Sequence, residues 1–128
     1  MIAFLFSALK SKFKILQIIP KLSAGGAERF VVDLSNELAS DVSITIIVLY
    51  PKKESEFYYR QISPLVRVVN LSKKPGFDSK IFFSLKRVLE EEKPDIVHSH
   101  LRALTYLLPI IPFFRNIEFV HTVHSLCQ

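Results

Sequence analysis

Five short runs of apolar, largely β-branched residues recur along the chain, and stretches of helical periodicity separate most of them. Lys14 to Ile19 is the first run, and Val42 to Tyr50 (Val-Ser-Ile-Thr-Ile-Ile-Val-Leu-Tyr) is the clearest. Val66 to Leu71 is a shorter third, Asp95 to His98 opens a fourth, and Ile117 to Val123 is the fifth. Ala27, Phe30, Val31, Leu34 and Leu38 fall at helical spacing in a segment ending near Ser40. Ile81, Phe82, Leu85, Val88 and Leu89 form the face of a second helix, which Asp78 can cap and which ends before Pro94. Leu101 to Leu108 reads as a third helix, broken by Pro109 and Pro112. Strands apolar on both faces cannot lie half in water, so they predict a parallel sheet covered by helices on both sides. Right-handed crossovers then favour a doubly wound order, with ligands at the carboxyl ends of the strands.

The first run stops at Pro20 and passes through Lys21-Leu22-Ser23-Ala24 into Gly25-Gly26 before a helical pattern begins at Ala27. Strand, glycine loop, helix is the arrangement that brings unsatisfied backbone N–H groups against a phosphate. A side chain in such a loop would hold the ligand's oxygens away from the backbone. Two named versions are excluded. No Gly-Lys-Ser/Thr is present, and the glycines lack the spacing of a dinucleotide fingerprint. The second strand also ends Leu49-Tyr50-Pro51-Lys52, with no acid at its tip for a ribose hydroxyl.

The chain has 128 residues, 49% of them hydrophobic, enough for one packed domain. Its net charge is +5, but basic and acidic residues are interspersed along most of its length. Nucleic-acid binders gather their charge on one face, so a nucleic-acid partner is not expected. The aromatic pairs Phe82-Phe83 and Phe113-Phe114 sit inside apolar runs and are expected to pack in the core. The one cysteine, Cys127, excludes an intrachain disulfide framework and suits a reducing compartment. Residues 1–12 form a leader in which Lys10 and Lys12 follow an apolar stretch. That order is wrong for a signal peptide, and the stretch is short of the roughly 20 residues that span a bilayer. A disordered leader and a short interfacial helix both remain open.

All four histidines fall at the carboxyl ends of the fourth and fifth runs: His98 and His100, then His121 and His124. His98 and His100 lie two apart and share a face if both stay in the strand. No carboxylate or thiolate lies near them in sequence to complete a metal shell, so no metal site is expected. His124, at the last strand tip, is better placed to face a ligand held by the glycine loop.

Three segments together resemble the N-terminal domain of GT-B glycosyltransferases, specifically the large retaining group called family 4. They are Lys14-Ile15-Leu16 running into Gly25-Gly26-Ala27-Glu28-Arg29, then Pro94-Asp95-Ile96-Val97-His98-Ser99-His100, then Val120-His121-Thr122-Val123-His124. The resemblance covers roughly residues 13 to 125. It implies the Rossmann-like half of a two-domain enzyme, holding the acceptor and facing a second domain across a cleft. Gly25 and Gly26 match the loop that approaches the donor's diphosphate. His124 matches the histidine beside the donor sugar, and is the expected catalytic residue. His100, with His98, matches the acceptor side.

The implied activity is transfer of a sugar, with retention, from a nucleotide-sugar donor to a saccharide or lipid-linked acceptor. No cofactor is implied. The Gly-Gly-Ala-Glu-Arg form is most similar to bacterial enzymes of surface-polysaccharide synthesis, which implies a cytoplasmic site, with peripheral contact at the inner face of the membrane an open option. The family's second domain, with its paired glutamates, is not in this chain. The sequence stops as the fifth run ends, so residues 13–128 are expected to form a domain incomplete at its C-terminal end and inactive by itself. Two other readings compete: a non-enzymatic α/β module binding a phosphorylated ligand, and a small metal-dependent hydrolase using the histidines.

Overall fold

The computed structural model describes residues 13–53 and 57–124, so the expectations for the leader and for Cys127 lie outside the described residues. Five parallel strands form one sheet: β1 (Lys14–Ile19), β2 (Ser43–Val48), β3 (Arg67–Asn70), β4 (Ile96–His100) and β5 (Glu118–Thr122), in the order β3-β2-β1-β4-β5. This is the doubly wound α/β arrangement expected. Helix α1 (Gly26–Leu38) joins β1 to β2, α2 (Lys80–Glu92) joins β3 to β4, and a short α3 (Ala103–Leu107) lies between β4 and β5.

The strand alternation sorts the core into two layers. Ile15 and Ile19 of β1 and Ile44, Ile46 and Val48 of β2 pack under Val31 and Val32 of α1. Leu16, Ile18, Ile47 and Val97 point the other way, against Ile81, Leu85 and Leu89 of α2 and Tyr106 and Leu107 of α3. Leu85 is fully buried, and truncating it to alanine would cost about 2–5 kcal/mol. Asp95 pins the pairing of β1 with β4. Its backbone N–H donates to the Lys14 carbonyl, and its carboxylate accepts the Lys14 backbone N–H, each at 2.8 Å.

Several local expectations change. The third helix does not stop at Pro109; it tightens into a 3₁₀ segment, Leu108–Phe113, that contains both prolines. Asp78 does accept the Lys80 N–H at 3.1 Å, although Ser79 occupies the formal cap position and makes no side-chain cap bond. The aromatic pairs are split. Phe82 and Phe114 pack against the core, whereas Phe83 and Phe113 are 74% and 68% exposed. Phe82 lies beside the core face of α2 set by Ile81, Leu85 and Leu89, while Phe83, the next residue around the helix, turns away from it. Phe113 ends the 3₁₀ segment before the extended Phe114. Cover is also uneven across the sheet: Val120, on the α1 side of β5, is 47% exposed.

Candidate functional site

Because β2 lies on one side of β1 and β4 on the other, the strand order reverses at the β1–β4 boundary. A crevice forms outside the carboxyl ends of strands at such a switch point. The sequence-predicted residues gather along that edge. Gly25 and Gly26 follow β1, His98 and His100 close β4, and His124 lies just past β5.

The two glycines have different surroundings. Gly25 is the N-cap of α1 in an extended conformation, and its carbonyl accepts the Arg29 N–H at 3.1 Å. A Cβ there would lie 2.7 and 2.9 Å from the carboxylate oxygens of Glu28. Glu28 is buried, and its Oε2 accepts a hydrogen bond from Ser23 Oγ at 2.8 Å. Gly25 therefore leaves room for a carboxylate from its own helix. A Cβ on Gly26 would meet none of the described residues within 4 Å, so among them the approach to the loop lies open over Gly26.

The histidines divide between the two faces of the sheet. His98 and His100 share the α1 side, and His124 joins them by bonding to His100. His100 is 0% exposed, and its Nε2 lies 2.7 Å from Oε1 of the equally buried Gln17. An amide oxygen only accepts, so His100 carries its proton on Nε2 and leaves Nδ1 as an acceptor. His124 Nε2, at 2.9 Å, donates to that Nδ1. Phe30 of α1 packs edge-on against both rings, with centroids 6.1 Å from His100 and 5.5 Å from His124. Burial, reinforced by repulsion from His98, His124 and His121, pushes His100 down from 6.5 to about 3, so the ring is neutral near pH 7.

The His98 ring lies tilted by 44° against that of His100, with centroids 4.0 Å apart, and reaches Thr122 Oγ1 at 2.5 Å. Its pKa is also lowered, by burial first and then by the charges of His124 and His121. His121 points to the opposite face, where its Nδ1 lies 2.8 Å from Ser99 Oγ. Among the described residues, no three His, Cys, Asp or Glu side chains converge as a metal site. No helix among them is long and apolar enough to cross a membrane.

Sequence reasoning missed Gln17, Ser23 and Glu28. Gln17 did carry a signal, being the one uncharged polar residue inside Lys-Ile-Leu-Gln-Ile-Ile, where an apolar side chain would suit both faces. Glu28 stands three residues after its cap, the position from which a carboxylate folds back onto the helix N-terminus.

Residues 24–128 match the family described as Glycosyltransferase Family 4. A curated protein of Campylobacter jejuni subsp. jejuni serotype O:2 is 34% identical over 93 residues, covering 69% of this chain and 26% of that protein. Its name is GalNAc-alpha-(1->4)-GalNAc-alpha-(1->3)-diNAcBac-PP-undecaprenol alpha-1,4-N-acetyl-D-galactosaminyltransferase. The match thus spans about a quarter of that relative's length.

Proposed function

The chain belongs to glycosyltransferase family 4, and from that premise we propose that it forms the acceptor-side wall of a retaining glycosyltransferase. The donor is a nucleotide sugar, and the acceptor is a saccharide carried on a lipid diphosphate, the kind of molecule named for the Campylobacter relative. The setting is bacterial surface-polysaccharide synthesis, in the cytoplasm or peripherally at the inner face of the membrane. A second Rossmann-like domain supplies the other wall and most of the nucleotide contacts.

The observation that carries this reading is the bonded series Gln17–His100–His124 at the switch-point crevice, beside the helix that follows the glycine loop. His124 is the residue that faces substrate. Because its Nε2 proton is given to His100, its neutral ring offers Nδ1 as an acceptor for a sugar hydroxyl. Protonated, it offers an N–H and a positive charge to a phosphate oxygen. His100, buried with both nitrogens committed, is a positioning residue that holds the His124 ring from below. Gly26 leaves backbone open to the donor's diphosphate, while Gly25 serves Glu28.

A cleft enzyme stabilises its transition state with groups from both walls, so the 128-residue chain should not transfer sugar by itself. The test is incubation of a two-domain version with UDP- and GDP-sugars and a prenyl-diphosphate-linked saccharide. Extension of that saccharide is the expected result; no turnover of any donor would overturn the proposal.

A further inference from the structure

A cavity of about 730 Å³ opens along the same sheet edge; Pro20 and Lys21 from the start of the glycine loop line it, but Gly25, Gly26 and the four histidines do not. Four cationic side chains do: Lys21, Lys53, Lys73 and Arg102, walled by prolines and the ring of Tyr50. Each follows a different strand, Lys21 after β1, Lys53 after β2, Lys73 after β3 and Arg102 after β4. Four consecutive strand ends thus deliver positive charge to one concavity, and among the described residues no carboxylate lines it.

None of these four cations is neutralised within the described residues. The ion pairs there engage Lys14, Arg29, Arg67, Lys86 and Arg87 instead. Lys73 is 3% exposed. Its ammonium donates to the Gly76 carbonyl, to the Lys74 carbonyl at 2.9 Å and to Tyr50 Oη at 3.4 Å. Burial works to lower its pKa, but the bonds to Tyr50 and Tyr106 outweigh it and raise the value, so the charge persists. Asp78 feels that charge, yet its oxygens are taken by the N–H groups of Lys74 and Lys80. With its own donors committed, Lys73 contributes field, while the exposed Lys21, Lys53 and Arg102 are free to make contact. Leu101, at the exit from β4, holds a left-handed φ of 56°, a conformation that costs a bulky residue energy and that sets Arg102 on the cavity wall.

Cations that converge on one concavity add their fields there, and the exposed three can make direct contact, so the cavity attracts an anion. We propose that this cavity is an anion site that takes the diphosphate of the lipid-linked acceptor. The anion site follows from the cavity alone; the naming of its ligand rests on the transferase reading. Its volume falls in the range of ligand pockets, with room for a diphosphate and part of what it carries. Gly26 is not among its lining residues, so the two phosphate-bearing substrates of a transferase can be held at different points along the edge.

The test is calorimetric titration of the 128-residue chain with inorganic pyrophosphate, farnesyl diphosphate and UDP, each against the unaltered chain and a Lys21→Gln, Arg102→Gln double variant. Both substituted residues are exposed, and circular dichroism checks that the variant folds. Pyrophosphate and farnesyl diphosphate should bind, more weakly as salt rises, with Kd increased about tenfold or more in the variant. Absence of binding, or binding that the double variant leaves unchanged, would overturn the anion site. UDP binding lost in the variant while farnesyl diphosphate binding persists would give the cavity to the donor and overturn the acceptor assignment. Neither failure touches the transferase proposal, which is read from sugar transfer by the two-domain protein.

Discussion

Oε1 of Gln17 accepts the Nε2–H of His100 at 2.7 Å, joining side chains 83 positions apart in the sequence. The bond decides more than packing. It commits the His100 proton, turns Nδ1 toward His124 as an acceptor, and so engages Nε2 of His124 as the donor to that nitrogen.

Replacing Gln17 with leucine should therefore cost about 1–3 kcal/mol, because the buried N–H of His100 loses its acceptor. Urea unfolding of the 128-residue chain measures this. An unchanged midpoint and slope would mean that the bond contributes nothing to stability.

His124 should matter more to function than to stability. In the two-domain enzyme, His124→Ala is expected to cut transfer at least tenfold, about 1.4 kcal/mol of transition-state stabilisation. The melting temperature should fall little, since His124 is only half-buried. A large drop in melting temperature with activity per folded molecule intact would instead mark His124 as structural.

Stability should fall on acidification through the window that His100 opens. Above pH 6.5 the ring is neutral in folded and unfolded chains alike and adds no pH dependence. Between 6.5 and about 3 the unfolded chain takes up a proton that the folded chain refuses. Stability then drops by up to about 1.4 kcal/mol for each unit of pH lost. Unfolding free energies across this window, compared with those of His100→Gln, isolate the contribution. The variant should show the shallower slope; equal slopes would contradict the burial argument.

The two glycines should respond differently to substitution. Gly25→Ala pushes the Glu28 carboxylate from its pocket and away from Ser23, at about 1.5 kcal/mol for a charge-assisted bond. That cost should shrink when Ser23 is already alanine, because the two sites share one contact. Gly26→Val sets its Cβ clear of the described residues and should leave stability nearly unchanged while weakening donor use in the two-domain enzyme. Equal donor curves for a folded Gly26→Val protein would remove the phosphate role from this loop.

Local patterns in the sequence determined a good part of this molecule. The apolar run Lys14–Ile19 is β1 to the residue, the helical spacing from Ala27 to Leu38 is α1, and unbroken apolar strands between helices meant a parallel sheet. These are periodicities, set by which side chains must leave water, and they are readable within a dozen residues. That His98 and His100 share a face was legible for the same reason. Pairing across the chain was not. Only the adjacency of β1 and β4 sets Gln17 under His100, and only the pairing of β4 with β5 carries His124 back to His100 while sending His121 to Ser99 on the far side. The exposure of Phe83 beside a packed Phe82, and the meeting of four cations from four strand ends, likewise depend on how separate elements dock. Hydrogen bonds and fields act through space, and the distances through which they act exist only once the sheet has formed.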